Sequence, residues 1–317
     1  MVSSLQRYAI KRFFHLIPVL FGVSVITFLF IHLAPGGPAY AIYGAEATPE
    51  RVAQLRAQYG LDEPLTVQYL TWVTNVLQLE LGESIVQGVP VLSLILTKLP
   101  VSASLAIGSL LVSLSISIPA GIISAVEKDE WADSAARTFA FWGVSMPNFW
   151  LGILLILVVS VWLDLLPIYG YVNLSDSVVG WVRHLILPSI TLGTALAAIV
   201  TRIMRSSMLE TLNEDYLKTA RAKGVGKRQV ITGHALRNAL IPVTTIVGLQ
   251  LGFLLGGSVL IEVVFALPGM GQLVVNSIFS RDFPVVQGAV LVYALIFVLV
   301  NLGVDLLYAL IDPRIEY

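Results

Sequence analysis

Six stretches of about twenty residues, nearly free of charge, dictate what this chain can fold into. A hydrocarbon layer roughly 30 Å thick is crossed by about 20 helical residues rising about 1.5 Å each. The stretches are Phe13–Ala34, Val101–Val126, Thr138–Leu163, Leu185–Val200, Pro242–Ile261 and Val285–Tyr308, with Asp305 intruding near the last end. With 56% hydrophobic and 12% charged residues among 317, the composition excludes a water-soluble domain of this size. The expectation is an all-α membrane protein of six transmembrane helices. Pro147 and Pro188 fall inside the third and fourth stretches, where they imply kinks rather than breaks, because neighbouring helices re-satisfy the freed backbone groups.

Charge then sets orientation. Of 19 Lys and Arg, eight lie close together after the fourth stretch: Arg202, Arg205, Lys218, Arg221, Lys223, Lys227, Arg228 and Arg237. Arg7, Lys11 and Arg12 precede the first stretch. Basic excess in short loops marks the cytoplasmic side, and the even number of crossings between the two groups puts both there, together with Arg314 and both termini. The basic start and Ala39-Tyr40-Ala41 have the outline of a cleaved signal peptide, but an apolar run of about 22 residues exceeds a signal core and reads as a retained anchor. Without cysteine the redox compartment is unreadable, and a net charge of -1 argues against a nucleic-acid partner.

The longest segment outside the stretches, Pro35 to Pro100, is expected on the extracytoplasmic side. Within it Thr48 reads as a helix cap, with Glu50 in the first turn, Val52, Leu55 and Tyr59 at helical spacing, and Gly60 as a stop. The run VQYLTWVTNVLQLELG reads as a second amphipathic helix on the membrane surface or bundle rim. No internal repeat or flexible linker divides the chain, so residues 1–317 read as one membrane domain.

Inside the stretches, small residues four apart mark close helix packing, since lipid supplies no hydrophobic drive for association. Gly248, Gly252 and Gly256 form such a series, with Gln250 on another face, and suit either intrachain packing or a subunit interface. Ser109, Ser113 and Ser117 repeat at the same spacing, facing a helix or a wet passage. Ser145, Pro147 and Asn148, in SMPNFW, line a passage or brace a kink. No Asp, Glu, Lys or Arg sits at mid-membrane, which disfavours a proton-coupled carrier needing a titrating relay. Metal clusters, HExxH, GxSxG and a Walker A loop are all absent from the sequence, so energy must come from elsewhere.

Residues 208–241 form the remaining constellation. Asn213 reads as the cap of a helix whose first turn carries Glu214 and Asp215; Gly224 and Gly226 break it, and a second helix from Lys227 to Leu240 stops at Pro242. Topological anchoring explains the charge of this helical hairpin but not its shape.

DYLKTARAKG followed by HALRNALIP resembles the EAA loop of ABC importer permeases in the form used by the dipeptide, oligopeptide and nickel family. RFFHLIPVLFGVSVITFLFIHLAPGGPA, YGLDEPLTVQYL, GVPVLSLI, SMPNFWLGILLI, VFALPGMGQL, RDFPVVQG and DLLYALIDPRI are similar to that family's first permease subunit, and together cover nearly the whole chain. In the general pattern a Glu, two Ala and a Gly precede an Ile-x-Leu-Pro end. Aligned on Gly224, this chain has Lys218, Thr219 and Ala220 at the opening and Leu240-Ile241-Pro242 at a longer spacing, departures similar to the subfamily's own.

The resemblance implies a type I importer permease whose hairpin enters a groove of a cytoplasmic ATPase. Ala220, Ala222 and Gly224 would allow close approach, and Lys218, Thr219, Arg221, Lys223, Lys227 and Arg228 complete the coupling surface. It also implies a second, homologous permease forming a heterodimer, two ABC ATPase subunits or domains, and an extracytoplasmic solute-binding protein, for which Pro35 to Pro100 is the candidate contact. ATP and Mg would bind the ATPase partners, and this chain would hold no cofactor. Relatives carry di- and oligopeptides, nickel, glutathione or oligosaccharides; peptide is the expectation, and an ion-coupled secondary transporter is the competing class.

Overall fold

In lipid each backbone N–H and C=O needs a partner within the protein, and helices provide one segment by segment. The computed structural model describes residues 4–33, 48–58 and 60–311, and builds them from helices, with one isolated bridge between Glu83 and Pro90. The PGGPA run, Ala39-Tyr40-Ala41, Tyr59 and Arg314 lie outside the described residues. The helices are α1 (Ser4–His32), α2 (Pro49–Gln58), α3 (Leu65–Leu77), α4 (Val91–Val126), α5 (Trp131–Ser145) and α6 (Asn148–Leu155), which continues as a π-helical turn, Ile156–Trp162. There follow α7 (Val178–Leu212) and α8 (Asp215–Ala222). A helical stretch, Lys227–Gln229, then passes through a π turn, Val230–Ala235, into α9 (Leu236–Gly257). The last are α10 (Val259–Val264), α11 (Met270–Phe279) and α12 (Phe283–Ile311). Among the described residues four helical segments are long and apolar enough to cross a membrane, or five when the bent pair α5–α6 counts as one.

The chain divides into two compact units. The first comprises residues up to Pro100 and Gly269–Leu299. Here α3 lies on α1: the Ser24 and Tyr69 hydroxyls are 2.7 Å apart, His32 Nε2 is 3.0 Å from Gln68 Oε1, and the Phe28 ring meets Tyr69 and Trp72. None of the residues of α3 is buried, as expected for a surface helix. Thr48 precedes α2 and its Oγ1 accepts from Arg51 N at 3.4 Å, while Val52 points inward. The unit's core joins Val91 and Ile95 to Met270, Leu273, Val285 and Ala289.

The second unit comprises Val101–Pro268 and the chain from Val300. Its helices approach closely where glycine removes a side chain. A Cβ at Gly193 of α7 would lie 2.7 Å from the Ser109 carbonyl of α4, and one at Gly121 would lie 2.6 Å from Met204 Cβ. Gly108 meets Ser189 at the same seam, and Gly143 of α5 meets Ala198.

Three expectations are corrected. Pro147 breaks its stretch instead of kinking it: Met146 takes an extended backbone, as the residue before proline prefers, Pro147 caps α6, and the two helices turn by 103°. Pro188, by contrast, is buried within an uninterrupted 35-residue α7. The second stretch begins in the helix that starts at Val91, so Pro100 lies inside α4 and does not end a loop. Pro242 does not stop the second hairpin helix, which runs on through α9.

Gly193→Leu is expected to destabilise the second unit by about 1–3 kcal/mol, because the added side chain meets backbone that cannot move aside. Thermal unfolding in detergent measures this; an unchanged midpoint would show that the seam is loose.

Candidate functional site

Helix α7 runs past its apolar stretch to Leu212, and this displaces the predicted cap. Asn213 closes α7, donating from Nδ2 to the Leu209 carbonyl at 3.0 Å, while Glu214 is the extended residue that opens α8. Lys218 Nζ donates to Asp215 Oδ1 at 2.7 Å and holds that carboxyl below its ordinary pKa. At the other end Gly224 adopts φ +83°, a conformation that costs L-residues about 1–2 kcal/mol. There Gly224 N donates to Arg221 O at 3.0 Å and Val225 N to Ala220 O at 3.2 Å, pairing carbonyls that the helix end leaves open. Gly226, extended, starts the next helical stretch.

One face of this hairpin is anchored. Leu217, Val230, Ala235 and Ala239 are fully buried against Met204 and Met208 of α7, and Asn238 Nδ2 donates to the Tyr216 hydroxyl at 2.6 Å across the two arms. The other face is open. Lys218, Thr219, Arg221, Ala222, Lys223, Gly224, Lys227 and Arg228 are exposed together, and Ala220 is half-buried. Among the described residues Lys218 is the one basic group of this set with an ion-pair partner. A cavity of about 390 Å3 adjoins the turn, lined by Val126, Leu212, Arg221, Val225, Lys227, Val230 and Ile231. The arrangement is a cationic knob anchored on one face, with an apolar notch beside it.

The base of the hairpin is held by an interaction the sequence did not disclose. Asp133 of α5 is fully buried and receives both Arg205 Nε and Nη2 at 2.7 Å, Ser124 Oγ at 2.6 Å and Asp129 N at 3.0 Å. Four donors on one carboxylate join the end of α4, the following turn, α5 and α7. In the sequence Arg205 reads only as part of a basic cluster, because no local spacing pairs it with an acid 72 residues earlier.

The candidate passage and packing residues lie on α4, at the α5–α6 break and on α9. Ser109, Ser113 and Ser117 are buried along α4, and Ser109 returns its hydroxyl to the Leu105 carbonyl at 2.7 Å. Ser145 and Pro147 are exposed and Asn148 is half-buried at the α5–α6 break. Gly248 packs against Val304 of α12, Gly252 is buried and Gln250 half-buried; Gly256 continues the helix. Directly after the fifth stretch stands Glu262, fully buried, whose Oε1 accepts from Ser102 Oγ at 2.7 Å and Ser258 Oγ at 3.0 Å. Its place beside an apolar run was the available signal. No group of three or more His, Cys, Asp or Glu among the described residues is arranged to hold a metal.

Residues 117–317 match the family described as binding-protein-dependent transport system inner membrane component, and residues 5–106 match the N-terminal family of the same systems. The chain is 47% identical over 310 residues to the glutathione transport system permease protein GsiC of Escherichia coli (strain K12), covering 98% of this chain and 99% of that protein. The protein of the same name from Salmonella choleraesuis (strain SC-B67) matches to the same extent. A solved inward-facing structure of the MetNI methionine ABC transporter aligns with a TM-score of 0.55 at 19% identity, over 69% of this chain and 96% of that one.

Leu217→Ala is expected to loosen the hairpin by about 3 kcal/mol, since the side chain is wholly enclosed. Hydrogen exchange should then accelerate across residues 215–240 while α4 and α7 stay protected. Unaltered exchange would mean that the polar Tyr216–Asn238 contact holds the hairpin by itself.

Proposed function

The chain belongs to the family of binding-protein-dependent transport system inner membrane components, and from that premise we propose how it works within its importer. It is a multi-pass permease subunit of an ABC importer, all-helical, with the type I importer fold. In this reading α1, α4, the bent pair α5–α6, α7, α9 and α12 make six crossings, with both termini and the hairpin of residues 208–241 in the cytoplasm. The hairpin is the coupling loop: its exposed cations and apolar notch meet an ATPase subunit, which binds ATP and Mg. A second, homologous permease completes the passage, and an extracytoplasmic binding protein delivers the solute.

The solute is a small peptide. The support is the 47% identity, over 98% of the chain, to permeases named for glutathione, which is itself a tripeptide and was the alternative to di- and oligopeptides. No cluster of metal-binding side chains among the described residues favours nickel instead. ATP-driven closure of the ATPase pair pushes on the hairpin, and the Asp133–Arg205 node at its base carries the displacement into α5 and α7.

Two experiments test this. Proteoliposomes holding this chain alone should show no uptake under an ion gradient, and uptake of a labelled tripeptide should need the second permease, the ATPase, ATP and the binding protein. Gradient-driven uptake by the single chain would overturn the assignment of roles. Gly224→Asp should abolish co-purification of the ATPase while leaving membrane insertion intact, because it strains a φ +83° turn and sets a negative charge among Arg221, Lys223 and Lys227. Normal co-purification would remove the hairpin from the docking surface.

A further inference from the structure

Helix α4 carries a single charged residue in 36, Lys98, and it stands at a cavity. The cavity, within the first unit, has a volume of about 190 Å3, and its wall includes Gln87, Lys98, Gln272, Asn276, Ser277 and Asp282. At about 30 Å3 per liquid water this is room for about six waters, enough for a carboxylate with a few attached atoms but not for a whole tripeptide.

The charges on the wall are unequal in what they leave free. Asp282 is 1% exposed and committed: one carboxylate oxygen accepts from Ile85 N at 3.1 Å and the other from Ser84 Oγ. Ser84 Oγ in turn accepts from Gln87 N at 2.9 Å, so the acid fixes the loop that forms one side of the cavity. Lys98, half-buried, has no acid within ion-pair reach among the described residues. Gln87 and Asn276 line the same wall, and each side-chain amide carries N–H donors. A half-buried ammonium beside amide donors selects an anion with two acceptor oxygens, and charge-assisted hydrogen bonds are about twice as strong as neutral ones.

We propose that this cavity is a recognition site for the carboxylate of the incoming solute, with Lys98 as its counter-ion and Asn276 and Gln87 as its hydrogen-bond donors. The proposal rests on the reading that the solute is a small peptide and that this end of α4 faces outward. It gives the permease a contact of its own with the common feature of such solutes, their free C-terminal carboxylate, whatever their side chains.

The test uses the assembled importer in nanodiscs, without binding protein, and equilibrium dialysis of labelled triglycine against its C-terminal amide. Wild type should bind the acid about tenfold more tightly than the amide, Lys98→Gln should lose this preference, and Lys98→Arg should keep it. Equal binding of acid and amide by wild type, or a preference that survives in Lys98→Gln, would overturn the site. A second measurement titrates the binding protein against ATPase rate. A severalfold rise of its half-saturating concentration in Lys98→Gln, with the acid-over-amide preference retained, would assign the cavity to an acidic side chain of the binding protein and overturn the solute assignment. Whether the isolated binding protein binds peptides is measured separately, so failure of the peptide reading and failure of the Lys98 site are told apart.

Discussion

A buried carboxylate in a membrane protein has to be answered completely, because hydrocarbon supplies no water to make up for a missing partner. Asp133, on α5, is answered by four donors from three other segments, and this fixes the geometry of everything that leads into the hairpin. The bidentate fork from Arg205 sets the angle of α7 against α5, Ser124 ties in the end of α4, and Asp129 N closes the turn between them. Removing either charge of such a pair costs on the order of 3 kcal/mol, mostly through the charge left behind.

Around that node, packing depends on absent side chains. Gly108, Gly121 and Gly193 let α4 and α7 approach to backbone contact, and Gly143 does the same for α5 against α7. Such contact leaves little space for polar partners, and the hydroxyls of Ser117, Ser189 and Thr201 are buried without one. A serine in this seam is therefore selected for size as much as for hydrogen bonding. Helix α7, held on both sides and running unbroken from Val178 to Leu212, has the form of a part that moves as one body.

The helices were legible because their cause is local: runs such as Val101–Val126 have no alternative in lipid. The hairpin turn was legible too, since Gly224 and Gly226 announce the break and Gly224 takes the positive φ that only glycine adopts cheaply. What escaped depended on context. Pro147 and Pro188 look alike in sequence, yet one ends a helix and the other is absorbed, because Leu187 is held helical by burial and Met146 is not. Asn213 is a good cap for either of two helices, and the extension of α7 decided which. Asp133, Glu262 and Asp282 find partners 72, 160 and 198 residues away, beyond any sequence window.

Charge in an oily chain is informative by what it is paired with. Asp133 and Arg205 satisfy each other, so they speak of architecture. Arg221, Lys223, Lys227 and Arg228 are exposed without an ion-pair partner among the described residues, on a turn whose opposite face is locked into the core. A cation cluster kept only for topology would tolerate a mobile loop, whereas this one is presented on a fixed knob. Anchoring of that kind would reduce the entropy lost on meeting another surface in a defined orientation. The physical case for a partner at the hairpin therefore lies in the buried Leu217, Val230 and Ala235 beneath the charges as much as in the charges themselves.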